Sequence, residues 1–138
     1  MFWRKALKYW RSFLMLCAIA YTSLLREPNM ALPPIVGIDK YVHGLMYLFL
    51  TWILLWDIMG AGWYRGDNGK DKCQLWKVSL IVIIFSVIYG GFIEILQEKF
   101  FYPRTGDWVD WLADCAGVLI GVGLWIIVQK LYERRMAQ

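Results

Sequence analysis

A single histidine, three cysteines and four prolines are all that this 138-residue chain carries of the residues that build metal centres, staple small folds or break helices. Cys17, Cys73 and Cys115 are odd in number and lack metal-ligand spacing, which excludes a disulfide framework and a cysteine-built zinc site. Cys17 and Cys115 fall inside apolar stretches and read as packing residues. The glycines between Gly60 and Gly69 lack the spacing and the following Lys-Ser/Thr pair of a phosphate-binding loop. Period-2 alternation is missing as well, so a membrane barrel is not expected. Charged residues make up only 19% of the chain. Its net charge of +4 does not point to nucleic acid, because Lys and Arg border apolar runs and form no stripe. What the chain has in quantity is apolar sequence, at 59% with nine Trp, far more than an ordinary soluble domain.

Four apolar stretches run from about Trp10 to Leu25, Tyr41 to Trp56, Leu75 to Leu96 and Trp108 to Leu131. With flanking turns, each approaches the roughly 20 residues that a helix needs to cross ~30 Å of hydrocarbon. The expected fold is all-α: a single-domain, integral membrane four-helix bundle over 1–138, with transmembrane helices at about 10–27, 39–59, 75–98 and 108–131. The first segment also resembles a signal peptide, with a basic start and Ala18-Ile19-Ala20 as a cleavage site. Glu27-Pro28-Asn29 and Leu32-Pro33-Pro34 break the first connection. Asp67-Asn68-Gly69 is a turn before the third helix.

Charge asymmetry sets the expected orientation. One side holds Arg4, Lys5, Lys8, Arg11, Arg65, Lys70, Lys72, Lys77, Lys130, Arg134 and Arg135; the other holds Arg26, Lys40, Lys99 and Arg104. The positive-inside rule then puts both termini in the cytoplasm. Trp3, Trp10, Trp63, Trp76, Trp108 and Trp111 lie near segment ends and read as interfacial anchors.

The opposite, extracytoplasmic ends carry nearly all the unusual polar residues. Asp39 and His43 are one turn apart at the start of the second helix, as are Glu94 and Gln97 near the end of the third. Asp107, Asp110, Asp114, Gly117 and Gly121 return to one side of the fourth helix, acidic above and glycine-lined below. The glycines allow another backbone to approach closely, which turns Asp114 into the bundle. Ionisable groups in such positions are expensive and usually face a bundle interior.

Asp39-Lys40-Tyr41-Val42-His43 with Tyr47, Glu94-x-x-Gln97, and Pro103-Arg104-Thr105-Gly106-Asp107-x-x-Asp110 followed by Asp114, Gly117 and Gly121 resemble the VanZ-like family of small bacterial membrane proteins. The resemblance spans helices two to four. It implies a multi-helix protein of the cell envelope, placed in the bacterial inner membrane, in a family named for an accessory factor in glycopeptide-antibiotic resistance. The chain departs from the resemblance at Asp114, where many relatives carry Asn.

Three readings of the constellation follow. In the first it is a pocket that binds or modifies a lipid-linked or phosphate-bearing envelope component, with membrane lipid or a lipid-linked precursor as partner. Arg104 would clamp phosphate with Lys40 in support, and Asp39, Gln97 and Asp107 would bind the ligand. His43, Glu94 and Asp110 are the candidate catalytic groups, His43 carrying a proton and Asp39 or Glu94 orienting it. A divalent cation is the candidate cofactor, because Asp110, Asp114 and Glu94, beside His43, offer mostly oxygen ligands. In the second reading the cluster is structural, with Arg104 and Lys40 neutralising acids while His43 and Gln97 bond between helices. Its weakness is stoichiometry: Glu27, Asp39, Glu94, Glu98, Asp107, Asp110 and Asp114 outnumber the four bases on that side. The third reading is an ion or proton path, opposed by the lack of a comparable ionisable residue in the inner halves of the segments.

Overall fold

The computed structural model describes residues 9–24, 37–60, 69–101, 106–136 and 138. Four helices account for nearly all of them: α1 (Trp10–Leu24), α2 (Ile38–Met59), α3 (Gly69–Phe100) and α4 (Trp108–Met136). Three are long and apolar enough to cross a membrane, with candidate spans at Ile38–Met59, Cys73–Phe100 and Trp108–Tyr132. The fourth, α1, has only 15 residues, about 22 Å at 1.5 Å per residue, and falls short as described. Pro28, Pro33 and Pro34, the Asp67-Asn68 pair, Trp3, Trp63 and Arg104 lie outside the described residues.

The chain runs up and down, so the start of α2, the end of α3 and the start of α4 share one end. Glycines punctuate the helices. Gly37 precedes α2 at φ 80°, and Gly60 follows it at φ 77° while its N–H returns to the Trp56 carbonyl. Asp107 opens α4: its Oδ1 accepts from the Val109 N–H at 2.9 Å, and its carbonyl starts the helical ladder.

The bundle is built on the α2–α4 pair. A methyl group at Gly117 would overlap the Gly44 carbonyl, and one at Gly121 would lie 3.1 Å from the Leu48 carbonyl. The expected glycine stripe therefore does bring two backbones together. Two apolar clusters fill the interior: Ile19, Tyr47, Leu50 and Val118 towards the polar end, and Leu55, Met59, Leu75, Val82, Val122 and Trp125 towards the other. Trp52 and Trp56 meet Trp125 edge-on, at centroid distances of 5.4 and 6.1 Å. The outward faces stay apolar, with Phe49, Ile81, Ile88, Leu119 and Ile127 exposed, as suits lipid contact. Trp10, Trp76 and Trp108 are exposed as anchors should be. Trp111 is different: its indole packs on Gly90 and Gly91 and donates to the Val87 carbonyl at 3.0 Å, fastening α3 to α4.

Candidate functional site

The polar end is a ladder between α2 and α4. Lys40 Nζ donates to Asp107 Oδ2 at 2.9 Å and to Asp110 Oδ1 at 2.8 Å. One turn deeper, His43 Nδ1 meets Asp114 Oδ1 at 3.1 Å. Below that come the glycine contacts, so ionic rungs sit directly above the backbone-to-backbone approach that sets their spacing. Asp107 and Lys40 are half-exposed, and the Val109 amide, then the Lys40 ammonium, hold the Asp107 carboxyl below its ordinary value. Asp114 and His43 are buried, at 1% and 5% exposure.

Glu94 enters from α3. Its Oε2 accepts from the Asp107 N–H at 2.9 Å, while Oε1 is buried with no hydrogen-bond partner among the described residues. The approach is possible because Gly106 lies against the Glu94 backbone, where a methyl group would come within 2.8 Å of the Glu94 carbonyl. Tyr47, one turn below His43, is 1% exposed, and its hydroxyl also lacks a partner. That hydroxyl and Asp114 Oδ2 both face Gly90: a methyl group there would stand 3.3 and 3.0 Å from them. An unpaired buried polar atom costs roughly 1–3 kcal/mol, and more when charged. Two such atoms beside a buried carboxylate therefore form a region of unmet bonding capacity.

Most expected site residues converge. One ligand atom each from His43, Glu94 and Asp114 lies within 4.8 Å of the others, and the same holds for Asp39, His43 and Asp110. One detail differs from the sequence expectation, and two follow its structural reading. His43 is oriented by Asp114, neither by Asp39 nor by Glu94, because α4 packs closest to α2. Asp110 is drawn towards Lys40 and is thereby engaged as an ion-pair partner. Gln97 turns to α1, donating to the Ser23 carbonyl at 2.7 Å and tying that helix to α3. Lys40 is bound between two carboxylates, and Arg104 lies outside the described residues.

A cavity of about 230 Å³ opens beside Glu94, lined by Gly91, Ile95, Glu98, Gly106, Asp107, Trp108 and Trp111. One side is carboxylate and the other aromatic. The exposed Trp108 stands at its edge.

The VanZ/LLP1 family model matches residues 2–129. The chain belongs to the VanZ/LLP1 family. With its three span-length apolar helices it is a VanZ-like membrane protein. No curated protein and no solved structure matches the chain.

One ionisable site of this VanZ-like chain escapes a reading by motif. Asp57, fully buried near the end of α2, accepts from Arg11 Nε at 3.0 Å and Nη2 at 2.8 Å on Oδ1. Its Oδ2 accepts from the Ser12 amide at 3.1 Å and the Ser12 hydroxyl at 2.8 Å. The expectation that the inner halves lack an ionisable residue is therefore corrected. The clue in the sequence is an acid in the last turn of an apolar helix, where the helix dipole disfavours negative charge and a partner must be found elsewhere.

Proposed function

We propose that this chain is a multi-pass protein of the bacterial cytoplasmic membrane, with both termini inside, whose extracytoplasmic pocket binds or modifies a lipid-linked or phosphate-bearing envelope component. A contribution to glycopeptide-antibiotic resistance belongs to the same proposal. The orientation is supported by Lys77, Lys130, Arg134 and Arg135, which lie towards the Asp57 end of the bundle, opposite the acid cluster. The observation that carries the pocket is the Glu94 carboxylate: half engaged by the Asp107 amide, half unpartnered, at the wall of an amphipathic cavity.

Lipids that stay with the purified protein test this reading. Native mass spectrometry should show one polyprenyl-phosphate or phospholipid per chain, retained by the parent and lost in Glu94→Gln at equal folded yield. Alanine substitutions at His43, Glu94, Arg104 and Asp110 should remove an envelope-stress or glycopeptide phenotype while leaving yield intact. Parallel loss of phenotype and yield would instead support the structural reading, which is favoured by the Lys40 bridge and the Gln97–Ser23 bond. A carboxyl-terminal reporter active only outside the cytoplasm would reject the orientation.

A further inference from the structure

We infer that His43, Glu94 and Asp114 form a binding site for a hard divalent cation of the Mn²⁺ and Mg²⁺ class, contributed by three helices. The donor atoms of these three residues lie within 4.8 Å of one another, and all three side chains are buried. Two cis ligands on an ion with ~2.1 Å bonds stand about 3 Å apart, close to the separation of His43 Nδ1 from Asp114 Oδ1. Independent support comes from Glu94 Oε1, which has no partner among the described residues although its residue is only 8% exposed. The Tyr47 hydroxyl, equally unpartnered and beside Asp114, can accept from a water bound to the ion.

Charge balance favours the same assignment. Among the described residues Lys40 serves Asp107 and Asp110, and leaves Glu94 and Asp114 with one imidazole between them. A divalent ion with a neutral imidazole and two carboxylates sums to zero, the condition under which burying these charges is least costly. Three protein ligands leave coordination positions open, and the carboxylate-lined cavity shares Glu94 with the site. A phosphate oxygen could therefore reach the ion, which would offset the Glu94, Glu98 and Asp107 carboxylates of the cavity lining. This deepens the pocket reading and rests on it for the ion's task, whereas the binding itself is measurable without lipid.

The experiment uses full-length protein in detergent, stripped with EDTA and delipidated, then titrated with Mn²⁺ by calorimetry and electron paramagnetic resonance. The expected result is one ion per chain with nitrogen coupling from His43 in the pulsed spectrum. Glu94→Gln and Asp114→Asn should each weaken binding at least tenfold, with Mg²⁺ competing, while Asp57→Asn, at the other end of the bundle, stays within about threefold of the parent. No stoichiometric binding, no nitrogen coupling, or binding that follows Asp110 and ignores Glu94 would each overturn the inference. The nitrogen coupling is read on the parent protein and so does not depend on any variant folding. Lipid retention that survives EDTA in a protein that binds no Mn²⁺ rejects the ion and keeps the pocket; Mn²⁺ binding without lipid retention does the reverse.

Discussion

Asp57 and Glu94 are both buried carboxylates on long apolar helices, yet they are opposites. Asp57 is saturated: each oxygen accepts two hydrogen bonds, all from α1, and Arg11 supplies the countercharge. Glu94 has one oxygen bonded to a backbone amide and one with no partner among the described residues. A saturated buried charge fastens helices, because any rearrangement strands it. An unsaturated one is a standing cost that the fold tolerates only if something else meets it. The Asp57 end therefore reads as a clasp and the Glu94 end as a receptor.

The strongest way to break this contrast is to separate α2 from α4. Gly117→Leu drives a side chain into the Gly44 carbonyl, and no rotamer avoids the backbone. Pushing the helices apart separates Lys40 from its two acids and His43 from Asp114, while the α1–α2 clasp is untouched. Folded yield by size-exclusion chromatography should fall several-fold, whereas Gly123→Ala, where a methyl group meets nothing within 4 Å, should match the parent. Equal yields of Gly117→Leu and parent would mean that the close approach does not hold the site.

Next in size is the clasp itself. Asp57→Ala leaves the Ser12 groups unpaired and Arg11 without its carboxylate; because Arg11 is half-exposed and can rehydrate, the cost should be about 2–3 kcal/mol, below that of a fully buried pair. The melting temperature should drop by several degrees with Mn²⁺ affinity unchanged. Glu94→Gln should have the opposite pattern. It replaces an unmet charge by a neutral amide and should leave stability within about 1 kcal/mol of the parent, or slightly above it, while ligand binding is lost. If both variants lose the same stability and both keep their ligand, the two ends do not differ in kind.

The sequence made the acid-rich end legible because helical spacing carries it. Asp39 with His43, and Asp107 with Asp110, Asp114, Gly117 and Gly121, return to one face whatever the rest of the fold does. The close packing of Gly117 follows from the same periodicity. Spacing within a helix does not decide pairing between helices, and so the Asp114 partner of His43 and the Ser23 partner of Gln97 were not legible: they depend on which helix packs nearest and at what height. The clasp was hidden for the same reason, since Arg11 and Asp57 are 46 residues apart and each alone passes for a border charge. Glu94's lone oxygen is least legible of all, for a missing bond shows only when every neighbour is in place.

The smallest effect lies at the rim, where Asp107 marks the edge of the receptor. Its folded pKa is held below the ordinary aspartate value by the Val109 amide and the Lys40 ammonium. The sign follows directly: the stabilisation is fully present above the unfolded-state value near 3.9, and is lost as pH falls through the lower folded value. Asp107→Asn keeps an oxygen able to cap α4 but cannot titrate, so it isolates the charge from the cap. Melting temperatures measured between pH 3 and 6 should fall less steeply on the acid side for Asp107→Asn than for the parent, with the curves parallel above about pH 5. Because Asp107 and Lys40 are both half-exposed, the difference should shrink in added salt, more than it would for Asp57, whose carboxylate is fully buried although Arg11 is half-exposed. Acid limbs of identical slope would show that the rim charge contributes nothing, and would confine the electrostatics of the acid-rich end to its buried groups.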